Sequence, residues 1–598
     1  MIKKPLYNFH IPVMGLAYTI DSPIRVAQYG ISSVVSIIDD EIIEKMKNFY
    51  SKKFNLKYSV ISTKIDDYRA KRITDYLDMM DDIVNEKFEA FKEEISKNKT
   101  ALKNFMEMLP GASELKTGLQ NFLNQKGDFT SSVKNFIETH LSPGNIDVNI
   151  MTKIDKDNFH KNEQLPVIYN DAHASLRGFA NSKLSSSMVL SAGMNPRLYS
   201  YIEEFDDFFP DENGSLKKKI ILKVSDFRSA MIQGNFLAKK GLWVSEYRIE
   251  SGLNCGGHAF ATEGLLLGPI MEEFKQRKCE LIESAHALMV KALEQKGKYL
   301  VAEPLEMKIT VQGGVGTSEE HDFLLKTYNV DSIGWGSPFL LVPEATSMDA
   351  ETRELLVKSK EYDFYLSNLS PLGVPFNTVK GTSNEIFRRN KESRSRYGSS
   401  CPKKLLALSK EYSSQGICTA SKKYQEIKLR ELEKEQLTEN QFQKKKEAIT
   451  EKACLCVGLV NSAYMEQNLE MKGEKQGVVI CPGPNLAFFD KEVSLSDMVQ
   501  HIYGSNNILS HPNRPNMFIN ELKLYVDYLK KDVTDFTEKI SNSQIKKWKT
   551  FKENLLNGIV YYEELFSVSD FFKADVNTIK EQLNNYRLLL RDIEIPEN

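Results

Sequence analysis

Short apolar runs rich in β-branched residues alternate with amphipathic segments along the first 345 residues. Apolar runs of this length are typical of buried strands, and their alternation with helical segments indicates βα units and a parallel sheet. Eight such runs are found, which is the number that closes a parallel (β/α)8 barrel. They cover residues 11–16, 31–37, 147–154, 186–193, 219–224, 243–251, 307–314 and 332–340. An open doubly wound sheet could use the same elements, so the count favours the barrel without excluding that alternative.

Two regions depart from this alternation. Between residues 65 and 142 the chain is charged, and its apolar positions from Ile73 to Ile95 recur with a helical period, which predicts an inserted helical layer. After Pro343 a loop rich in turn formers leads into charged helices, one of them opened by a capping box at Thr438 and Gln441. We therefore expect an α/β protein with a barrel at 1–64 and 143–345, a helical insertion at 65–142, and a mainly helical region at 346–598.

Composition narrows the class of protein. The 598 residues carry a net charge of −2 and a pI near 6.6, which argues against bulk electrostatic binding to nucleic acid or to anionic membranes. No apolar run reaches the roughly 20 residues that a membrane-spanning helix needs. The first residues lack the apolar stretch and cleavage site of a signal peptide. We expect a cytoplasmic protein with reduced cysteines.

Glycines mark the ends of the last two predicted strands. Gly313 and Gly314 end one strand and precede a helix whose first turn begins with a capping sequence at Thr317. Gly336 and Ser337 follow the next strand. In barrels of this kind the loops after strands seven and eight form the usual phosphate site, because glycine backbone N–H groups can closely approach an anion. The pair of loops predicts a phosphate-binding site.

The stretch "ESGLNCGGHAF" (250–260) ends the strand before these loops. Gly256, Gly257 and His258 would then lie on the same rim of the barrel. A lone histidine is more often structural than catalytic. Beside a phosphate loop, His258 becomes the first candidate for acid–base work or for polarising a substrate.

In combination, "ESGLNCGGHAF", "KITVQGGVGTSEE" and "SIGWGSPFLLVPEA" resemble the nitronate monooxygenase family of FMN-dependent barrels, which includes flavin-type enoyl-acyl-carrier-protein reductases. The resemblance extends to "IPVMGLAYTIDSPIRVAQYG", "DVNIM" and "LSAGMNP", and covers about 250 of the 598 residues. It departs from the family where Asn254-Cys255 replaces Glu-Ala, where Gln312 replaces a small residue, and where the helical insertion displaces a βα unit.

The resemblance implies an FMN site and a role for each matching residue. His258 would face the substrate as the catalytic group. Met14 and Gly15 would face the flavin ring with Asn149 nearby, and Lys223 would reach the ring or its ribityl chain. The phosphate end would be held by Gly256, Gly257, Gly313, Gly314, Gly336 and Ser337. We expect non-covalently bound FMN and not FAD, since no dinucleotide fingerprint follows a strand.

The activity that the resemblance implies is an FMN-dependent oxidoreductase acting on a small or acyl-type substrate, with NAD(P)H or a protein electron carrier as the partner. A nitronate-type monooxygenase that uses O2 is one alternative. Another is a non-catalytic flavin-bearing scaffold or redox sensor, in which Cys255 could be the sensitive thiol. The substrate, the electron donor and the existence of a homo-oligomer stay open.

Five of the seven cysteines fall in the region after the barrel, at Cys401, Cys418, Cys454, Cys456 and Cys481. Their spacing fits no common zinc finger or compact ferredoxin run, so buried apolar cysteines are one interpretation. Cys401 and Cys481 each precede proline, as the last ligand of many iron–sulfur runs does. The alternative is therefore an iron–sulfur cluster held by Cys401, Cys418, Cys481 and one of Cys454 or Cys456.

Overall fold

A computed structural model describes residues 5–111, 113–124, 129–254, 263–471, 473, 477–511, 513–536 and 540–596. Eight parallel strands, labelled β1 to β8 in chain order, close into a barrel in which β1 pairs with both β2 and β8. The strands are Phe9–Ile11, Ser32–Ser36, Ile146–Ile150, Ser186–Leu190, Lys218–Val224, Val244–Glu250, Lys308–Gln312 and Ser332–Gly334. The predicted (β/α)8 barrel is confirmed, and the open doubly wound sheet is excluded.

Each predicted apolar run contains or adjoins one of these strands, but β1 begins and ends earlier than predicted. Pro12 follows Ile11 and has no N–H to donate to a neighbouring strand, so the ladder stops there. Residues 13–16 then form a loop at the carboxyl end of β1. The barrel interior holds a small apolar cluster of Val13, Val34, Val189 and Ile221.

Helices connect the strands around the barrel. They are Ser22–Val26, Asp40–Lys53, Tyr68–Lys97, Lys99–Glu107, Glu114–Asn124, Phe129–His140, Asp171–Ala180, Pro196–Tyr201, Phe227–Ala238, Leu267–Gln295 and Ser318–Tyr328. Four of them, from Tyr68 to His140, form the predicted insertion between β2 and β3. The apolar stripe from Ile73 to Ile95 lies on the first of these helices and is buried, as its period predicts. This helix packs closely on the helix Asp171–Ala180, where a Cβ atom at Gly178 would lie 2.7 Å from Ile73 Cβ.

The region after the barrel is mainly helical, as predicted. Its helices are Ala350–Lys358, Ser383–Glu392, Lys422–Leu432, Glu439–Thr450, Leu455–Glu466, Leu495–Ile502, Met517–Asp535, Asn542–Val568 and Val576–Asp592. The capping box of Thr438 and Gln441 is present. An antiparallel pair of strands, Phe364–Ser367 and Phe376–Val379, was not predicted.

This region packs onto the barrel and shares its hydrophobic core. The helices Met517–Asp535 and Asn542–Val568 contact the long helix Leu267–Gln295 that precedes β7. Over the residues that the structure describes, no helix combines the length and the apolar character needed to cross a membrane.

Candidate active site

A pocket opens at the carboxyl ends of the barrel strands, which is where active sites of parallel barrels lie. The loop after β1 contributes Gly15, β3 contributes Asn149, β5 contributes Lys223, and β6 contributes its last residue, Glu250. The other lining residues are Val13, Leu16, Met151, Lys153, Ile154, Ser191, Ala192, Gly193, Leu372, Phe376, Leu459 and Cys481. The fold thus brings three of the predicted flavin-binding residues, Gly15, Asn149 and Lys223, to one cavity.

Glu250 is the polar centre of this pocket. Its Oε1 atom lies 3.1 Å from Lys223 Nζ and also accepts hydrogen bonds from Asn254 Nδ2 at 2.8 Å and Gln312 Nε2 at 2.7 Å. The Lys223 and Glu250 side chains are 9% and 2% exposed. A buried carboxylate needs several donors to offset its lost hydration. Asn254 and Gln312, two of the departures from the family motif, are therefore tied to the charged pair.

Two buried acceptors beside this pair lack a partner. Asn149 Oδ1 and Gln312 Oε1 are both buried and accept no hydrogen bond in the structure. A buried carbonyl oxygen without a donor is unfavourable, so such groups in a pocket suit a ligand that donates N–H or O–H groups. A flavin ring and its ribityl chain carry both kinds of donor, so Asn149, which lines the pocket, fits the predicted cofactor.

Two glycines of the loop after β7 have a left-handed backbone conformation. Gly313 and Gly314 have φ angles of +110° and +88°, which favour glycine. A Cβ atom at Gly313 would lie 3.0 Å from the backbone nitrogen of Asn254, and one at Gly314 would lie 2.6 Å from Leu253 Cδ1. Larger residues are therefore excluded from this loop.

The helix after this loop is capped by its own side chains. Thr317 accepts from the backbone N–H of Glu320, as predicted. Glu320 does not complete a capping box on Thr317, because its Oε2 accepts from the Gly316 N–H at 2.8 Å instead. The first turn of Ser318–Tyr328 therefore carries a buried carboxylate, which already uses one glycine N–H of the loop.

An arginine from the C-terminal region neutralises that carboxylate. Arg514 Nη1 lies 2.7 Å from Glu320 Oε1, and both side chains are almost wholly buried. Arg514 also donates to the Gly314 carbonyl oxygen at 2.7 Å and to Asn485 Oδ1 at 2.6 Å. The glycine-rich loop is thus joined to the C-terminal region. Arg514 was missed in the sequence because no local motif marks it.

The C-terminal region also forms part of the pocket wall. Leu459 lies against Gly15, with 3.7 Å between its Cδ2 atom and a Cβ atom placed at Gly15. The Tyr18 hydroxyl donates to the Val479 carbonyl oxygen at 2.7 Å, and the Gly483 N–H donates to Ser337 Oγ at 2.8 Å. The site therefore uses residues from beyond the predicted barrel.

The other described residues that the sequence predicted for the flavin site are not among those that line the pocket. Met14 is fully buried in the core, and its neighbours Val13 and Gly15 line the pocket in its place. Ser337 is buried next to Gly483, and Gly336 precedes it at the end of β8. Gly256, Gly257, His258 and Cys255 lie outside the described residues, so their predicted roles stay predictions.

The five clustered cysteines are all buried. Cys401, Cys418, Cys454 and Cys456 lie near one another, and Cys481 lines the pocket at the barrel rim. Across the described part of the chain, no three His, Cys, Asp or Glu side chains already form a metal-ligand set, so the predicted iron–sulfur cluster has no support.

Comparison with known proteins gives only distant structural likenesses. No family model and no curated protein sequence matches the chain. Among solved structures, the enoyl reductase domain of MlnA from Bacillus amyloliquefaciens is 16% identical, with a TM-score of 0.32, covering 69% of this chain and 86% of that chain. FabK from Thermotoga maritima is 12% identical, with a TM-score of 0.30 and coverages of 70% and 92%.

A third structure, a nitroalkane oxidase from Streptomyces ansochromogenes, is 8% identical, with a TM-score of 0.35, and covers 84% of this chain and 95% of that chain. At these scores neither an activity nor a cofactor is transferred to this chain. The fold and pocket themselves define a parallel (β/α)8 barrel with a charged cavity at its carboxyl rim.

Proposed function

We propose that this protein is an FMN-dependent oxidoreductase that acts on a small or acyl-type substrate. The observation that carries the proposal is the convergence of Gly15, Asn149 and Lys223 on one pocket at the carboxyl rim of the barrel. Each was assigned to the flavin from the sequence motifs alone. They come from the loop after β1, from β3 and from β5, which are far apart in the chain, so their meeting is not a consequence of sequence proximity.

The polar groups of the pocket suit the head of a flavin. Asn149 Oδ1 is a buried acceptor in the pocket wall that a ring N–H or a ribityl hydroxyl would satisfy. The Lys223 ammonium, oriented by Glu250, adds positive charge to the wall and would stabilise negative charge on a bound ring system. A bound flavin would supply hydride transfer, which no protein side chain provides.

The apolar wall would orient the substrate and exclude water. Met151, Ile154, Leu372, Phe376 and Leu459 contribute apolar groups around the charged pair. A closed apolar wall strengthens the electrostatic effect of the lysine and protects a reduced cofactor from side reactions. It also favours substrates with an alkyl or acyl portion over fully polar ones.

The proposal is tested on the purified full-length protein. Its absorbance spectrum and the flavin released on denaturation should show about one FMN per chain, and Gly314→Asp should remove it by placing a carboxylate at the predicted phosphate site. Gly297→Asp is the control, because Gly297 also has a positive φ but has no atom near its Cβ position. Protein that purifies without flavin and does not take up FMN would refute the proposal.

The electron donor is tested next. Anaerobic addition of NADH or NADPH should reduce the bound flavin, and acyl substrates should reoxidise it. Turnover of nitroalkanes that requires O2 would identify the monooxygenase alternative instead. Stoichiometric flavin that no donor reduces would support the non-catalytic scaffold.

A further inference from the structure

A second cavity lies at the amino end of the barrel, opposite the active-site pocket. This amino-end cavity has a volume of about 220 Å³ and is lined by the amino-terminal parts of strands β3 to β7 and by loops that precede some of them. The apolar cluster in the barrel interior separates the two cavities, since Val13 lines the active-site pocket and Ile221 lines the amino-end cavity. The proposed oxidoreductase chemistry makes no use of the second cavity.

Two strands contribute residues to both cavities. On β3, Asp147 lines the amino-end cavity and Asn149 lines the active-site pocket. On β6, Glu246 and Glu250 are divided in the same way. Side chains two or four positions apart lie on the same face of a strand, so all four point into the barrel. The amino-end cavity is therefore part of the barrel interior and not a groove between surface loops.

A charged cluster forms the inner wall of this cavity. Glu246 Oε1 accepts from Arg248 Nη2 at 2.7 Å and from Thr310 Oγ1 at 2.5 Å. Arg248 Nη2 also lies 4.0 Å from Asp147 Oδ2. The side chains of Arg248, Asp147 and Glu246 are 3%, 7% and 13% exposed. One buried guanidinium therefore serves two buried carboxylates, so the inner wall has a net negative charge.

Asp147 has an oxygen atom without a partner. Its Oδ1 atom is buried and accepts no hydrogen bond, although Ser187 lies beside the carboxyl group. Burial raises the pKa of Asp147 to about 6, against the effect of Arg248. A buried carboxylate oxygen that lacks a donor is unfavourable. Because Asp147 lines the cavity, a donor that enters the cavity would satisfy this oxygen.

The mouth of the cavity has the opposite charge. Lys219, near the start of β5, lines the cavity and is exposed. Lys308, at the start of β7, also lines it, and its Nζ atom lies 3.8 Å from Glu306 Oε1. Glu306 offsets one of the two lysines, which leaves the mouth with one net positive charge. A cation alone would be repelled at the mouth, and an anion alone would be repelled at the inner wall.

We propose that the amino-end cavity binds a small zwitterion of the α-amino acid type, with its ammonium group at Asp147 and its carboxylate group towards Lys219 and Lys308. An ammonium group has three N–H donors and carries the positive charge that the inner wall lacks. Leu216 and Leu305 give the cavity an apolar side against which a side chain can pack. A volume of about 220 Å³ is below the roughly 300–1,000 Å³ of pockets that bind drug-sized ligands, so nucleotides and other large ligands are excluded.

The test is binding of the twenty standard L-amino acids to the full-length protein, measured by isothermal titration calorimetry. We expect at least one of them to bind with a dissociation constant in the millimolar range or below. Its N-acetyl derivative and the corresponding amine without the carboxylate should each bind about tenfold more weakly or worse, because each lacks one of the two charges. Flavin content and turnover are not part of the readout, so this test fails or succeeds separately from the proposed function.

Two variants locate the ligand. Asp147→Asn should weaken binding about tenfold or more, because it removes negative charge from the inner wall. Lys219→Met should weaken binding of the amino acid but not of its amine. Glu212→Gln is the control, because Glu212 is exposed in the loop before β5 and does not line the cavity. Lys219 is exposed, so Lys219→Met keeps the test decisive if Asp147→Asn fails to fold.

Three results would overturn the proposal. A cavity that holds only water would bind none of the twenty amino acids. Equal binding of an amino acid and its amine would show that the mouth of the cavity has no part in recognition. Unchanged binding in both Asp147→Asn and Lys219→Met would place the ligand elsewhere on the protein.

Discussion

The Lys223 ammonium lies 3.1 Å from the Glu250 carboxylate, at the carboxyl ends of the neighbouring strands β5 and β6. Both groups are buried, so neither can be removed without leaving the other poorly solvated. We expect Glu250→Ala to lower the free energy of unfolding by about 3 kcal/mol or more, since Lys223 would lose its counter-charge. Lys223→Met combined with Glu250→Gln should recover part of this loss. Chemical denaturation measures both effects.

The matched control for this pair is Glu203→Ala. Glu203 lies 2.9 Å from Lys240, but about a fifth of each side chain is exposed, so this pair contributes less than about 1 kcal/mol. Equal losses at Glu203 and Glu250 would contradict a special role for the buried pair.

Gly314 is expected to tolerate no side chain. Gly314→Ala would place a Cβ atom 2.6 Å from Leu253 Cδ1 at a φ of +88°, so both strain and a clash oppose it. Gly297→Ala suffers only the strain of a positive φ, about 1–2 kcal/mol, because no atom lies near its Cβ position. The temperature of thermal unfolding and the flavin content should therefore fall further for Gly314→Ala than for Gly297→Ala. A smaller loss at Gly314 than at Gly297 would show that the loop can rearrange.

Arg514 is expected to hold the glycine-rich loop to the C-terminal region. Arg514→Met would leave the Glu320 carboxylate buried without its guanidinium and remove the donor to Gly314. Removing one partner of such a pair costs about 3–5 kcal/mol, and we expect weaker FMN binding as well. Glu320→Gln in the same chain should restore part of the stability. If Arg514→Met keeps wild-type stability and FMN affinity, the contact has no supporting role.

Glu521 is expected to make stability depend on pH. Its carboxylate is fully buried and accepts hydrogen bonds from Ser251 Oγ at 2.7 Å and from the Leu267 N–H at 2.8 Å. These two residues flank the stretch that contains His258, the candidate catalytic residue. Burial raises the pKa of Glu521 to about 7 from 4.5. The folded chain therefore binds more protons than the unfolded chain between these values, and stability should fall as the pH rises through this range, by at most about 3 kcal/mol from this group.

Glu521→Gln should remove this contribution, because an amide does not titrate and can still pair with Ser251 and Leu267. The measurement is the free energy of unfolding at several pH values from 4.5 to 8. Parallel pH profiles for the variant and the wild type would contradict the assignment.

His258 remains the sequence-based candidate for the catalytic group. His258→Ala should leave FMN bound and slow substrate turnover by roughly 100-fold or more, the range typical of lost acid–base assistance. Turnover and flavin content are measured on the same preparation. Turnover equal to wild type would assign His258 a structural role.

The order of strands and the glycine-rich loops could be predicted from the sequence because both depend on local chemistry. Apolar runs of strand length specify buried strands, and glycines at Gly313 and Gly314 specify backbone angles that other residues avoid. The helical stripe from Ile73 to Ile95 is likewise a property of one segment. Eight such strands favoured the barrel, whereas the tertiary structure excluded the open doubly wound sheet.

The partners of the charged and polar groups could not be predicted, because each contact joins residues that only folding brings together. Arg514 pairs with Glu320, which lies 194 positions earlier in the chain. Leu459, from the region after the barrel, contacts Gly15 in the loop after β1. Glu250 becomes the centre of the pocket only when β5, β6 and β7 lie side by side. The local pattern determines which segments form strands, helices and tight turns, whereas long-range packing decides which buried charges are paired and which cysteines are neighbours.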